Sequence, residues 1–256
     1  MIDKIKVKVS SFVANILEND AMRFGFIKND KPNKNALLNK LIPTLVEVRK
    51  ARREEIENIL KNEYCREDVG NNVYNIVNTV IDRVYFSDAE LNVLDENIWI
   101  RPSKETLSVY DEIETSETRI TLQEISVYIR GLLNEYSRFP QYKREMLTFD
   151  KELDMFDTAC YTHNIVHFRD KETNKRHKAF AFNYCYGYLY EQTNYCVIYD
   201  INENKIRAIP LYDIQDIYLI KQKYKPSEKQ IELLQKYMDD CNFDEEISVG
   251  ETENVF

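Results

Sequence analysis

Glycine and proline are scarce in this chain, at 5 and 6 of its 256 residues. Loops that cradle phosphates are built from glycine. Neither the P-loop nor the dinucleotide-binding pattern occurs, so nucleotide chemistry is not expected. Cysteine is sparse and odd in number. Cys65, Cys160, Cys185, Cys196 and Cys241 are scattered without a C-x-x-C pair, which argues for reduced thiols and against a disulfide framework or zinc ribbon. No apolar run approaches the roughly 20 residues that a membrane-spanning helix needs. The first 15 residues alternate Lys with Ile or Val instead of building a signal-peptide core. The expectation is a soluble, cytoplasmic protein with no membrane partner and no cofactor.

Net positive charge is also lacking, but only on average. The formal charge is −9, which argues against a protein that coats nucleic acid over its whole surface. Residues 1–66 nevertheless hold 14 Lys and Arg against 9 Asp and Glu, leaving 21 against 35 for the other 190 residues. The basic end is where a polyanion would be met.

That end opens on Lys4-Ile5-Lys6-Val7-Lys8-Val9, a strict alternation that places three apolar residues on one face of a strand and three lysines on the other. Ser10 or Ser11 offers an N-cap for a helix whose apolar positions Val13, Ile16, Leu17, Ala21 and Phe24 follow helical spacing, and Gly25 is a plausible stop. A polar link from Lys28 to Pro32 leads to Asn33, a second cap, and to the stripe Ala36, Leu37, Leu41 and Leu45. Pro43 is expected to end or kink that helix, with a charged helix continuing to Asn62. One short strand cannot satisfy its own backbone groups. The economical partner is the same strand of a second copy, a two-stranded ribbon across a dyad. The segment resembles the ribbon-helix-helix DNA-binding domain, with strand Lys4–Val9, helix Ser11–Phe24 and helix Asn35–Leu45.

The centre reads as a helical connector. Val73, Ile76, Val77, Val80, Ile81 and Val84 form a buried stripe, Ile98-Trp99-Ile100 is a short extended piece, and Leu122, Ile125, Ile129, Leu132, Leu133 and Tyr136 mark a helix stopped before Pro140. From about Asn164 the period changes from 3.6 to 2, with strands expected over 164–169, 177–182, 186–190, 194–199, 205–211 and 214–220. Six short strands suggest a small antiparallel barrel. Ser227 and Gln230 occupy capping-box positions of a last helix. The tail after Cys241, with five acids and no base, reads as disordered. The expected organisation is α+β, with domains 1–66, 67–157, 158–225 and 226–256.

The run Asn194-Tyr195-Cys196-Val197-Ile198-Tyr199-Asp200, followed by Lys205-Ile206-Arg207 and Leu211-Tyr212-Asp213-Ile214, resembles the WYL domain. The stretch Ile125-Ser126-x-Tyr128-x-Arg130, with Tyr136, Pro140, Tyr142 and Arg144-Glu145, is similar to the helix leading into that domain in members with a ribbon-helix-helix start. Asn194 stands where the family has Trp, Cys196 where it has Leu, and Asp213 where it has a late Arg. The resemblance implies an Sm-like or SH3-like barrel that binds nucleic acid or another anionic ligand, with Tyr195 and Arg207 as the motif-matched residues. Members of this kind include RNA-binding accessories of type VI-D CRISPR ribonucleases.

Lys4, Lys6 and Lys8 can enter a DNA major groove from a paired ribbon, with Lys34 and Asn35 holding a phosphate at a helix N-terminus. The plainer reading is a solvated face that resists aggregation. In the barrel, Arg169, Arg176, His177, Lys178 and Arg207 alternate with Tyr184, Tyr186, Tyr188, Tyr190, Tyr195 and Tyr199. Rings that stack on bases beside cations suit single-strand recognition, although half of those tyrosines are expected in the core. His163 and His167 would lie about 13 Å apart on one strand, too far to share an ion, and Asp111, Glu112 and Glu114 read as a solvated face. No catalytic residue and no metal ligand is assigned.

The leading expectation is a non-catalytic homodimer, joined through its N-terminal strands, that binds single-stranded RNA or DNA and modulates a CRISPR effector ribonuclease. The alternative is a DNA-binding regulator with a ligand-sensing barrel. A metal- or His-dependent nuclease is the third.

Overall fold

The computed structural model describes residues 4–64, 93–108, 122–187, 192–240 and 243–249. It comprises two compact units, Met1–Phe139 and Pro140–Phe256. The stripe Val73–Val84, the acids Asp111–Glu114, Cys65, Cys241, Tyr188 and Tyr190 lie outside the described residues. Among those described, no helix is long and apolar enough to cross a membrane.

In the first unit, strand β1 (Ile5–Val9) buries Ile5, Val7 and Val9 and leaves Lys6 and Lys8 exposed, as alternation dictates. Its partner is β4 (Glu96–Ile100), antiparallel, with Ile5 opposite Ile100 and Val9 opposite Glu96. The pairing of β1 is therefore met within the chain, across the 86 residues that separate the two strands. Ile98 and Ile100 repeat the buried phase of β1, and Trp99 points outward between them.

Helix α1 (Ser11–Arg23) starts at Ser10, whose hydroxyl accepts from the Val13 N–H. It ends as the sequence suggests. Gly25 adopts a left-handed φ of 68°, so the Gly25 and Phe26 N–H groups reach back to the carbonyls of Met22 and Ala21. The polar link is a minimal hairpin of β2 (Ile27–Lys28) and β3 (Lys31–Pro32) turned by Asn29 and Asp30, both at positive φ.

Helix α2 (Lys34–Tyr64) continues through Pro43 as one element, so it does not end there. Pro43 deprives the Asn39 carbonyl of its helical donor, and the Thr106 hydroxyl lies 3.4 Å from that oxygen. Helix α3 (Leu122–Arg138) lies in this unit. Its Ser126 hydroxyl donates to the Lys6 carbonyl on β1, and its buried Tyr136 donates to Asp20 on α1 at 2.9 Å.

The second unit begins with α4 (Gln141–Thr148) and α5 (Asp150–Thr162). Five strands follow: β5 (Asn164–Asp170), β6 (Arg176–Cys185), β7 (Tyr195–Asp200), β8 (Lys205–Pro210) and, after a 3-10 turn at Leu211–Asp213, β9 (Ile214–Lys223). Tyr186 and Gly187 lie outside any strand, so the expected strand over 186–190 is not seen where it is described.

Helix α6 (Glu228–Asp240) carries the expected capping box. Ser227 N–H donates to Gln230 Oε1 at 2.8 Å, and Gln230 N–H to Ser227 Oγ at 3.2 Å.

The strand order is β10-β8-β7-β6-β5-β9, where β10 is Ile247–Ser248. This is an open sheet in place of the expected closed barrel. The edge of β8 that closure would offer to β9 is taken by the tail, with Ile247 opposite Ile206. Within the described residues 243–249, Val249 is buried beside Leu234, Tyr237 and Ile206. The tail's acids alone suggest disorder, but the apolar Phe243, Ile247 and Val249 supply the anchors.

Candidate nucleic-acid interface

The sequence-nominated residues fall into three settings. In the first unit, Lys4, Lys6 and Lys8 share the solvent face of the β1/β4 ribbon. Lys6 stands directly opposite Trp99, and Lys8 opposite Asn97. The Lys4 and Lys6 ammonium groups lie 3.9 and 5.5 Å from the Trp99 ring centroid. Trp99 is 49% exposed.

Lys34 and Asn35 are engaged elsewhere. Lys34 Nζ is 2.8 Å from Glu18, and Asn35 Oδ1 accepts from the Arg101 N–H at 2.7 Å. Asn39, one turn on, donates to the carbonyls of Asn35 and Arg101 and accepts from the Ser103 N–H and the Thr106 hydroxyl. These asparagines tie residues 101–106 to α2, which fixes the end of β4 that carries Trp99. The helix N-terminus thus spends Asn35 on structure.

In the second unit the motif-matched pair does not form an open basic site. Arg207 is 8% exposed and pairs with Glu203, with Glu246 at 3.0 Å and more distantly with Asp200 at 3.9 Å. His177 is buried with Nδ1 2.6 Å from Asp200 Oδ2. Burial opposes ionisation of Asp200, but the His177 hydrogen bond outweighs it with help from the Glu203 N–H and the Arg207 charge, so its carboxyl sits below the usual range. Tyr195 is half-buried with its ring against Phe243, 5.0 Å between centroids. The cations here are engaged by carboxylates.

The remaining cations meet on the outer side of β5, β6 and β9. Arg169 stands opposite Arg176, and His167 stands between Lys178 on one side and Tyr218 on the other. Arg176 is exposed. Arg169 is paired with Asp216 at 2.9 Å. His167 and Tyr218 are stacked, with centroids 5.2 Å apart and planes 23° from parallel, and Tyr218 is 49% exposed. Burial and the neighbouring Lys178 lower the His167 pKa, so at neutral pH the pair is an uncharged aromatic shelf beside cations. Tyr218, His167 and Trp99 are not among the sequence-nominated residues. Each occupies the outward phase of an alternating strand, and for Trp99 that signal was legible in Ile98-Trp99-Ile100.

The other ionisable groups give no open centre. Burial pushes the Cys160 thiol up to about 12 and the Cys196 thiol well above its ordinary value, so both stay protonated at neutral pH. Among the described residues, no group of three His, Cys, Asp or Glu is placed to hold a metal ion.

No family model matches the sequence, and no curated protein matches it. Among solved structures, a CRISPR Cas-related protein matches with a TM-score of 0.62 over 94% of this chain and 72% of that one, at 10% identity. A second match, the proteasome accessory factor PafBC of Arthrobacter aurescens, covers 54% of this chain and 23% of that one at 12% identity, with a TM-score of 0.28. The first likeness is one of fold across nearly the whole chain; the second is too slight to bear on it.

Proposed function

We propose that this protein is a non-catalytic regulatory accessory that binds single-stranded RNA and modulates a CRISPR-associated ribonuclease. The observation that carries the reading is the outer face of β5, β6 and β9, where Arg176 and Lys178 flank the His167–Tyr218 stack. An unpaired strand needs both partners that this face offers, a flat ring for a base and a cation for its phosphate. The fold it shares with a CRISPR Cas-related protein supports the choice of system.

The test offers the purified chain single-stranded RNA, single-stranded DNA and its own promoter duplex in competition, at two salt concentrations. Unpaired RNA should win, and Arg176→Ala with Lys178→Ala should weaken its binding about tenfold, with Tyr218→Ala adding about as much. Preference for the duplex would replace this reading with that of a DNA-binding regulator. Cleavage of the RNA, lost with a chelator, would make the protein a nuclease.

A further inference from the structure

The β1/β4 ribbon carries a second feature that the sheet face does not explain. Its inner side is fully committed, with Ile5, Val7, Val9, Ile98 and Ile100 buried. Its outer side presents Lys4, Lys6, Lys8 and Arg101 around one large ring, Trp99. Among the described residues, none of these four cations is in an ion pair with a carboxylate. Trp99 stays 49% exposed with a lysine lying over it. An indole is costly to leave in water, and on a strand its partners are set by register, so the lysines opposite and beside it are held there by the ladder.

We propose that this ribbon is a binding site for an unpaired nucleic-acid strand, in which one base stacks on Trp99 and the adjoining phosphates lie on Lys4, Lys6, Lys8 and Arg101. Three features select this occupant. Alternate lysines on a strand are about 6.7 Å apart, a spacing on the order of that between successive phosphates of an extended strand. Stacking a base is worth more than an exposed cation–π contact, so Lys4 can yield the ring and take up a phosphate. A duplex presents base edges in its groove, not base faces, and an indole standing at the centre of the ribbon would hold the lysines away from the groove floor. The ribbon thus suits a single strand, not the duplex that the resemblance to ribbon-helix-helix proteins implies. The site stands on its own residues and does not depend on the sheet face.

Trp99 is the chain's one tryptophan, so its emission reports on this site alone. The full chain is titrated with a short oligouridylate and, separately, with the same strand paired to oligoadenylate, and indole fluorescence is read beside the anisotropy of a label on the RNA. The single strand should quench Trp99 saturably, with a log-log salt slope near −3 for four cations on a single strand. Trp99→Ala should weaken binding about tenfold, and Trp99→Phe by less. Replacing Lys4, Lys6 and Lys8 with Ala together leaves the ring in place as a folding control and should bring the slope toward −1.

Quenching that survives Arg176→Ala with Lys178→Ala supports the ribbon even if the sheet-face reading fails. Binding seen by anisotropy with no change at Trp99 overturns the ribbon and leaves the sheet face standing. Equal quenching by the duplex, or no binding of oligouridylate at low salt, also overturns it.

Discussion

Asn194, which the resemblance to the WYL motif sets against a tryptophan, has a structural task whose removal has a calculable cost. It is 2% exposed and Glu145 is 0% exposed. The Asn194 N–H and Nδ2 both donate to Glu145 Oε2, at 2.8 and 2.7 Å, and Nδ2 also donates to the Tyr142 carbonyl at 2.8 Å. One side chain therefore joins α4 to the start of β7. Asn194→Ala keeps the backbone donor and deletes both Nδ2 bonds. A bond to a charged acceptor contributes about 1.5–3 kcal/mol and a neutral one about 0.5–1.5, so the expected loss is about 3 kcal/mol. In a unit of this size that lowers the melting temperature by about 10–15 °C.

Thermal and urea unfolding of wild type, Asn194→Ala, Glu145→Leu and the double variant form a cycle. The second substitution should cost far less once the first has been made, because the buried carboxylate that needs the amide is gone. Asn194→Trp, which introduces the residue of the WYL motif, should destabilise, since an indole offers one donor in place of two. A loss below about 1 kcal/mol for Asn194→Ala, or strict additivity across the cycle, would refute the assignment.

Two further outcomes test other parts of the molecule. Burial, with Asp170 and Glu172 adding to it against Lys171, raises the Asp213 carboxyl to about 6. The folded chain holds that proton more tightly than the unfolded one. The group's contribution is therefore fully present below about pH 4 and lost as pH rises through about 6. Asp213→Asn should match wild type at pH 4 and exceed it near pH 8 by about 1 kcal/mol, after allowing for solvent screening at a half-exposed site; a pH-independent difference in urea midpoint would contradict this. Asn39→Ala removes three bonds that tie residues 101–106 to α2. Amide exchange at Ile98–Ile100 should accelerate, and oligouridylate should quench Trp99 less, while exchange in β5–β9 stays unchanged.

Much of the local structure was legible in the sequence because it rests on neighbours. The Ser10 cap, the Gly25 stop, the Ser227–Gln230 capping box and the alternation of β1 each depend on residues within about one turn or one pleat of one another. The α+β composition and five strands of the second unit followed from the change of period near Asn164.

What the sequence could not supply was partnership at a distance. Tertiary structure alone paired β1 with a strand 86 residues further along the same chain. It carried an acidic tail onto β8 by three apolar anchors, so that the sheet stayed open. It surrounded Arg207 and His177 with Asp200, Glu203 and Glu246, so that the cations of that cluster are spent on carboxylates. It also left Trp99 and Tyr218 in the open beside cations. Charge and ring chemistry are written in residue types, but whether a cation meets a carboxylate or a solvent-facing ring is decided by which strand lies next to it.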